Sequence, residues 1–205
     1  MTKTSHSSSI KVSILMPVYN YPQVKNALES IPVRDDLELI MVDDASTDST
    51  PDIIDEFLLC SGLNAQFIHH RENGGCASAL NTALEYATGE YITQLDVDDE
   101  YFPAFNQVID VATEDVVWFN MQVNNGKIWS HAWMKEIVDH ACLFRRSLVG
   151  DTRWLVSDRR CGGGWYFTRE YLAKPHTEQD TQLLAYKYNF PRRGSIMDLK
   201  YRNEL

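Results

Sequence analysis

The sequence is short of cysteine, of positive charge and of long apolar runs, and each shortage excludes something. Four cysteines occur in 205 residues. Cys60, Cys76, Cys142 and Cys161 lie far apart, with neither a CxxC pair nor the density of a disulfide scaffold, so buried free thiols are expected. Lys and Arg number 19 against 29 Asp and Glu, a formal charge of -10. That balance argues against a broad nucleic-acid face, which needs clustered cations. The pairs Arg145–Arg146, Arg159–Arg160 and Arg192–Arg193 read as solvated faces or as one locally basic groove. No run of about 18 apolar residues occurs, and "MTKTSHSSSI" has no apolar h-region. Neither a membrane span nor a signal peptide is indicated, and a cytoplasmic protein is expected. A GxGxxG after the first strand is also missing, since "MPVYNYPQ" stands there, which argues against a dinucleotide-binding oxidoreductase.

What is present is an alternation of strands and helices. With 44% hydrophobic residues, the chain can bury one compact core. The Ser-rich start, 1–9, reads as disordered. "KVSILMPVYN" (11–20) and "LELIMVDD" (37–44) read as buried strands, and "PQVKNALESI" between them as a helix. The helix after "VDD" is expected to take Thr50 as N-cap and Pro51 as its first residue. "NAQFIHH" is a third strand. After "RENGG" comes a helix whose apolar stripe is Cys76, Ala79, Leu80, Ala83, Leu84 and Ala87; "EYITQLD" begins a fourth strand. Such alternation calls for a parallel sheet covered on both faces, with ligands at the carboxyl ends of the strands.

The second half is less regular. "DVVWFNMQ" (115–122) and "HACLFRRS" (140–147) read as strands, "NNGK" (124–127) as a hairpin turn, and "SDRRCGGGWYFTREY" as a loop of closely approached or mobile backbone. "TEQDTQLLAYKYN" (177–189) reads as a helix capped by Thr177. Residues 103–205 are expected to complete the site built by 10–102 within one domain.

"GEYITQLDVDDEY" places Asp96, Asp98 and Asp99 within four positions. On an extended strand end Asp96 and Asp98 project to one side and Asp99 to the other, whereas a turn lets all three converge. Converged carboxylates repel, and one would protonate unless a cation is supplied. Oxygen ligands favour Mg²⁺ or Mn²⁺ over Zn²⁺. Turn-forming aspartates closing a strand are the plainer reading. A second acidic pair, Asp43 and Asp44, ends another strand of the same expected sheet and weighs toward a site. His69, His70, His131, His140 and His176 form no ligand-spaced motif and read as structural. Trp129, Trp133, Trp154 and Trp165 read as core aromatics, Trp165 beside the glycine run being the one suited to stack on a sugar.

The stretches "VSILMPVYN", "ELIMVDDASTD" and "ENGGCASALNTALEYATGEYITQLDVDDEY", in this order, resemble the successive signatures of family 2 glycosyltransferases of the GT-A fold. The resemblance covers residues 10–102, and thins beyond to "HACLFRRSLV" and "EQDTQLL". It implies an inverting enzyme using a nucleotide sugar, usually a UDP-sugar, with Mn²⁺ or Mg²⁺ and a saccharide or other hydroxyl acceptor. Pro17, Val18 and Tyr19 would line the nucleotide pocket, Asp44 and Asp43 would face the base, and Asn73 and Gly74 would lie nearby. Asp96 would contact the ribose, Asp98 and Asp99 the metal, and Asp180 would be the catalytic base, with Glu178 in reserve. The chain departs from the family at "ALN", where Leu80 replaces a common cation, and at "TEQD", where Gln179 interrupts the acidic pair. Without membrane helices a single-transfer enzyme is expected. The chain is short for this family, so an acceptor pocket that is open or completed by a partner is expected, a homo-oligomer among the options. The rival reading is a non-catalytic nucleotide-sugar-binding module.

Overall fold

The computed structural model describes residues 9–130, 140–156 and 163–189. Its centre is a mixed sheet into which every described strand is paired, in the order β3-β2-β1-β4-β8-β6-β9-β5, with β7 added on β6. The strands are β1 (Val12–Val18), β2 (Leu37–Asp43), β3 (Ala65–His69), β4 (Tyr91–Gln94), β5 (Glu100–Tyr101), β6 (Val116–Val123), β7 (Ile128–Trp129), β8 (Cys142–Arg145) and β9 (Glu178–Tyr188). Strands β1 to β4 run parallel. β8 is antiparallel to both β4 and β6, which returns β6 to the direction of the first four.

The first half follows from the apolar pattern. Every residue of β1 and of β2 is buried, as a strand covered on both faces requires. The helices are α1 (Lys25–Ser30), α2 (Thr50–Ser61), α3 (Cys76–Tyr86), α4 (Phe105–Val111) and α5 (Gly163–Leu172). One face of the sheet packs with Leu28, Ile54, Phe105, Val108 and Ile109 from α1, α2 and α4. The other packs with Ala79, Leu80, Ala83 and Leu84 of α3 and Phe167 and Tyr171 of α5.

Several expectations need correction. Ser49, not Thr50, precedes α2 as its cap residue. Thr50 is fully buried, its Oγ1 accepting from the Tyr21 N–H at 2.7 Å, while Asp48 Oδ1 accepts from the Thr50 N–H. Cys76 is exposed and does not belong to the buried stripe of α3; Cys60 is exposed too, and of the described thiols only Cys142 is buried. The last two residues of the glycine run, Gly163 and Gly164, open helix α5 instead of a loop. Phe167 and Tyr171, four residues apart and both buried, provide the apolar stripe that outweighs poor helix formers. The expected disorder of residues 1–9 falls, but for Ser9, outside the described residues, as do His131, Trp133 and Cys161. The hairpin at "NNGK" forms, Gly126 taking φ 81° and donating its N–H to the Val123 carbonyl.

The largest correction concerns "TEQDTQLLAYKYN", which is strand β9 and not a helix. It lies parallel to β6, pairing Trp118 with Asp180 and Met121 with Tyr186. Thr177 caps nothing: its N–H and hydroxyl donate to Asp115 Oδ2 at 3.0 and 3.1 Å. The sheet offers this segment a ladder of backbone bonds and burial for Ala185 and Tyr186, and that context overrides helical propensity.

Away from the carboxyl ends, Glu38 pins the sheet to α3. It is 5% exposed, and its Oε1 accepts from the Ser13 hydroxyl (2.5 Å), the Thr88 N–H (2.7 Å) and hydroxyl (3.0 Å), and the Gly89 N–H (3.2 Å). Gly89 must be glycine for this approach, since a Cβ would meet Ser13 N at 2.7 Å. Glu38→Ala strands buried donors, each costing about 1–3 kcal/mol. Urea denaturation should therefore show a loss of at least about 2 kcal/mol.

Candidate active site

Two groups of acidic residues sit at the carboxyl ends of β2 and β4. Each contains a buried carboxylate, Asp44 in one and Asp99 in the other, supplied with donors by a remote segment.

In the first group, Asp43 is 4% and Asp44 2% exposed. Asp43 Oδ1 accepts from the Ser46 N–H, and Oδ2 lies 3.4 Å from His69 Nδ1. Asp44 Oδ1 accepts from the Gly74 N–H (2.9 Å) and faces His70 Nδ1 (2.8 Å); Oδ2 accepts from the Gly75 N–H (2.6 Å). Asn73 Nδ2 donates to the Asp44 carbonyl at 3.1 Å. Asp43, Asp44, Asn73 and Gly74 are thus brought together as one wall. Gly74 has no room for a Cβ, which would lie 2.7 Å from Ser78 Oγ. The loop after β1 is laced to the same wall, Asn20 Oδ1 accepting from the Thr47 N–H and the Asn20 N–H donating to Ser46 Oγ. Asn20 and Ala45 hold φ of 45° and 62° to make these turns. Pro17 and Val18 are buried, and Tyr19, 48% exposed, is the member of that trio with an open side chain.

From the sequence His70 reads as an ordinary structural histidine; the structure sets it between Asp44 and α3, its Nε2 2.9 Å from Thr82 Oγ1. Its position at a strand end, just before "RENGG", is the available signal.

In the second group a turn, closed by the Asp99 N–H donating to the Asp96 carbonyl at 3.1 Å, folds the strand end back. One oxygen each of Asp96, Asp98 and Asp99 then lies within 4.8 Å of the others. Asp96 Oδ1 accepts from Gln94 Nε2 (2.7 Å), and Oδ2 lies 3.9 Å from His140 Nε2. Asp99 is 2% exposed, Oδ2 accepting from the Tyr186 hydroxyl (2.7 Å) and Oδ1 from the Asn189 N–H (2.8 Å). Burial pushes the Asp99 carboxyl well above the ordinary carboxylate range, and the charges of Asp96 and Asp98 add to the shift. The Tyr186 hydroxyl is raised as well, by burial first and then by Asp99.

The donor set fits a hard divalent cation: all-oxygen ligands, close together, in need of positive charge. Asp96 and Asp98 are half-buried, whereas Asp99 is buried and both its oxygens accept from the end of β9, at Tyr186 and Asn189. Asp99 is therefore the brace of this group.

The remaining expected residues lie apart. Asp180 is exposed on β9, and its Oδ1 accepts from the Gln182 N–H at 3.0 Å, bracing a bulge in which Gln182 takes φ 55°. Glu178 is held by His176 Nε2 at 2.8 Å and by Trp118 Nε1 at 3.0 Å. Continuing the register of β4 on β8 puts Gln94 beside Cys142, which pairs with Trp118, which pairs with Asp180. Asp180 thus shares a sheet face with Gln94, three strands away, or roughly 14 Å.

Residues 13–174 match the model of the glycosyl transferase family 2. The chain belongs to this family. The matched span includes both acidic groups and stops short of Glu178 and Asp180. Among relatives of this family 2 domain, glycosyltransferase GlyG of Streptococcus pneumoniae is 35% identical over 93 residues, covering 43% of this chain and 30% of that protein. The chain thus spans about a third of the length of the curated relatives it matches. S. aureus TarS 1–349 in complex with UDP-GlcNAc superposes with a TM-score of 0.78 at 22% identity, over 92% of this chain and 60% of that one. The mannosyltransferase PcManGT of Pyrobaculum calidifontis, in complex with GDP-Man and Mn²⁺, gives 0.69 at 22% identity, over 92% and 59%. These likenesses establish the GT-A fold expected from the sequence.

Tyr186→Phe removes one hydrogen bond to a buried carboxylate without changing shape. It should cost about 1–3 kcal/mol of stability in chemical denaturation, the range for leaving a buried polar group without its partner.

Proposed function

We propose that this chain is a nucleotide-sugar-dependent transferase, moving one sugar per encounter from a UDP-sugar to an acceptor hydroxyl with inversion. The observation that carries the reading is the pair of acidic groups at the carboxyl ends of β2 and β4, where open parallel sheets bind ligands. The sugar nucleotides in the TarS and PcManGT structures support it. In this reading residues 10–102 hold the donor and 103–205 the acceptor side, and the enzyme works in the cytoplasm. Among the described residues no helix is long and apolar enough to cross a membrane.

The nucleotide rests on the wall formed by Asp43, Asp44, Asn73 and Gly74, with Tyr19 beside it. Asp44, already accepting from two glycine N–H groups, acts through the loop that it braces. Asp98, with Asp96, would hold Mn²⁺ or Mg²⁺. That ion, when bound, supplies the positive charge that lets a diphosphate lie against carboxylates and leave as UDP.

In the transfer the acceptor oxygen attacks the anomeric carbon, the bond to the diphosphate oxygen breaks with its electron pair going to UDP, and the hydroxyl proton passes to a base. Asp180 is the candidate for that base. Both lie on the face of Gln94, and what supports Asp180 over Glu178 is exposure and its place in register with Gln94, whereas Glu178 is bound to His176 and Trp118.

Two measurements test this. Calorimetry of UDP should show binding in Mn²⁺ that is lost in EDTA, and Asp98→Ala should weaken it at least about tenfold with the metal present and little without. Equal affinity in EDTA would exclude the metal role, and UDP-sugar binding with neither transfer nor hydrolysis would leave a non-catalytic binding module. Asp180→Asn keeps the acceptor for the Gln182 N–H, so melting and UDP affinity should hold while transfer falls about 10²-fold or more. An active variant would exclude Asp180.

A further inference from the structure

We propose that Gln94 is a positioning residue that holds Asp96 in place for the cation and diphosphate, at the expense of the stability of the core. The inference rests on the reading of the acidic turn as the donor's metal site.

Gln94 is the last residue of β4 and 4% exposed. Among the described residues its side chain makes one polar contact, Nε2–H donating to Asp96 Oδ1 at 2.7 Å. The other end of the amide is anomalous: Oε1 is buried and has no hydrogen-bond partner. Turning the amide over would not relieve it, because Oε1 would then face the Asp96 carboxylate, and two acceptors repel. A buried unpartnered carbonyl is a cost that a methionine, of similar length and wholly apolar beyond its sulfur, would avoid. Stability alone therefore disfavours glutamine here, and the bond to Asp96 is what glutamine offers in exchange.

That bond matters because of what surrounds Asp96. Oxygens of three carboxylates lie within 4.8 Å, and mutual repulsion turns each one outward unless it is held. Asp99 is held by the Tyr186 hydroxyl and the Asn189 N–H. Gln94 does the same for Asp96, with a neutral donor mounted on a rigid strand. Neutrality suits this role, because the amide fixes the carboxylate without cancelling the charge that the cation needs. The group is thereby arranged before the ion arrives.

The test compares wild type, Gln94→Met, Gln94→Glu and Asp98→Ala. Melting temperature is read in EDTA, Mn²⁺ affinity in the presence of UDP by the loss of the free-ion electron paramagnetic resonance signal, and UDP affinity in Mn²⁺ by calorimetry. Gln94→Met should melt at or above the wild-type temperature in EDTA, yet bind Mn²⁺ about tenfold or more weakly. Gln94→Glu keeps the shape but sets an acceptor against Asp96, and should lose Mn²⁺ binding as well. Gln94→Met with wild-type Mn²⁺ and UDP affinity would overturn the proposal, and so would a clear drop in its melting temperature, which would make the amide part of the packing. If wild type itself bound UDP equally in EDTA, the metal site would fall and Gln94's role with it. Wild-type binding that needs Mn²⁺ and is lost in Asp98→Ala but kept in Gln94→Met would sink the role of Gln94 alone.

Discussion

A carboxylate withdrawn from water must be given hydrogen-bond donors, and in this chain three of them, Glu38, Asp44 and Asp99, determine where distant segments go. Each ends up 2–5% exposed. Glu38 draws in the α3–β4 connection through the Thr88 and Gly89 N–H groups. Asp44 draws in the loop at Gly74 and Gly75, and Asp99 draws in the end of β9 through Tyr186 and Asn189. The apolar core supplies most of the burial free energy, but it does not direct loops. Directional bonds to buried charges do, and they fix the backbone around both acidic groups.

The same requirement separates carboxylates that support a site from carboxylates that serve one. A side chain whose oxygens are both engaged within the fold is a strut. Asp44 and Asp99 are of this kind. Asp96 and Asp98 stay half-buried at the turn, Asp96 tied through Oδ1 to Gln94 two residues away. Adjacent residues in one short motif thus differ in depth, Asp99 alone of the three being buried and tied to the end of β9.

Much of the first half was legible in the sequence because its signals are local. Continuous apolar runs gave β1 and β2, the stripe of Ala79, Leu80, Ala83 and Leu84 gave α3, and acidic residues after two strands marked one end of the sheet. What was not legible depends on partners far along the chain. "TEQDTQLLAYKYN" has helical propensity and becomes a strand because β6 is there to pair with it. The pairing of His70 with Asp44 spans 26 residues and that of Tyr186 with Asp99 spans 87. Glycines 163 and 164 masked a helix whose evidence lay in Phe167 and Tyr171. Gln94 stood in a plain strand pattern, and only the burial of its carbonyl oxygen distinguishes it.

The bulge of β9 has a bearing on how the two halves are geared together. Between Trp118 and Met121 the strand β6 advances three residues, while its partner advances six, from Asp180 to Tyr186. An odd surplus reverses which side of the sheet the later residues face. The odd step falls between Leu184 and Tyr186, opposite Asn120 and Met121, and acts as a parity switch: Asp180 lies on the face of Trp118 and Tyr186 on the face of Met121. Loss or gain of a single residue there would turn Tyr186 away from Asp99 while leaving every contact of the first four strands intact. Length at this point of the chain is as tightly specified as identity is in the acidic turn.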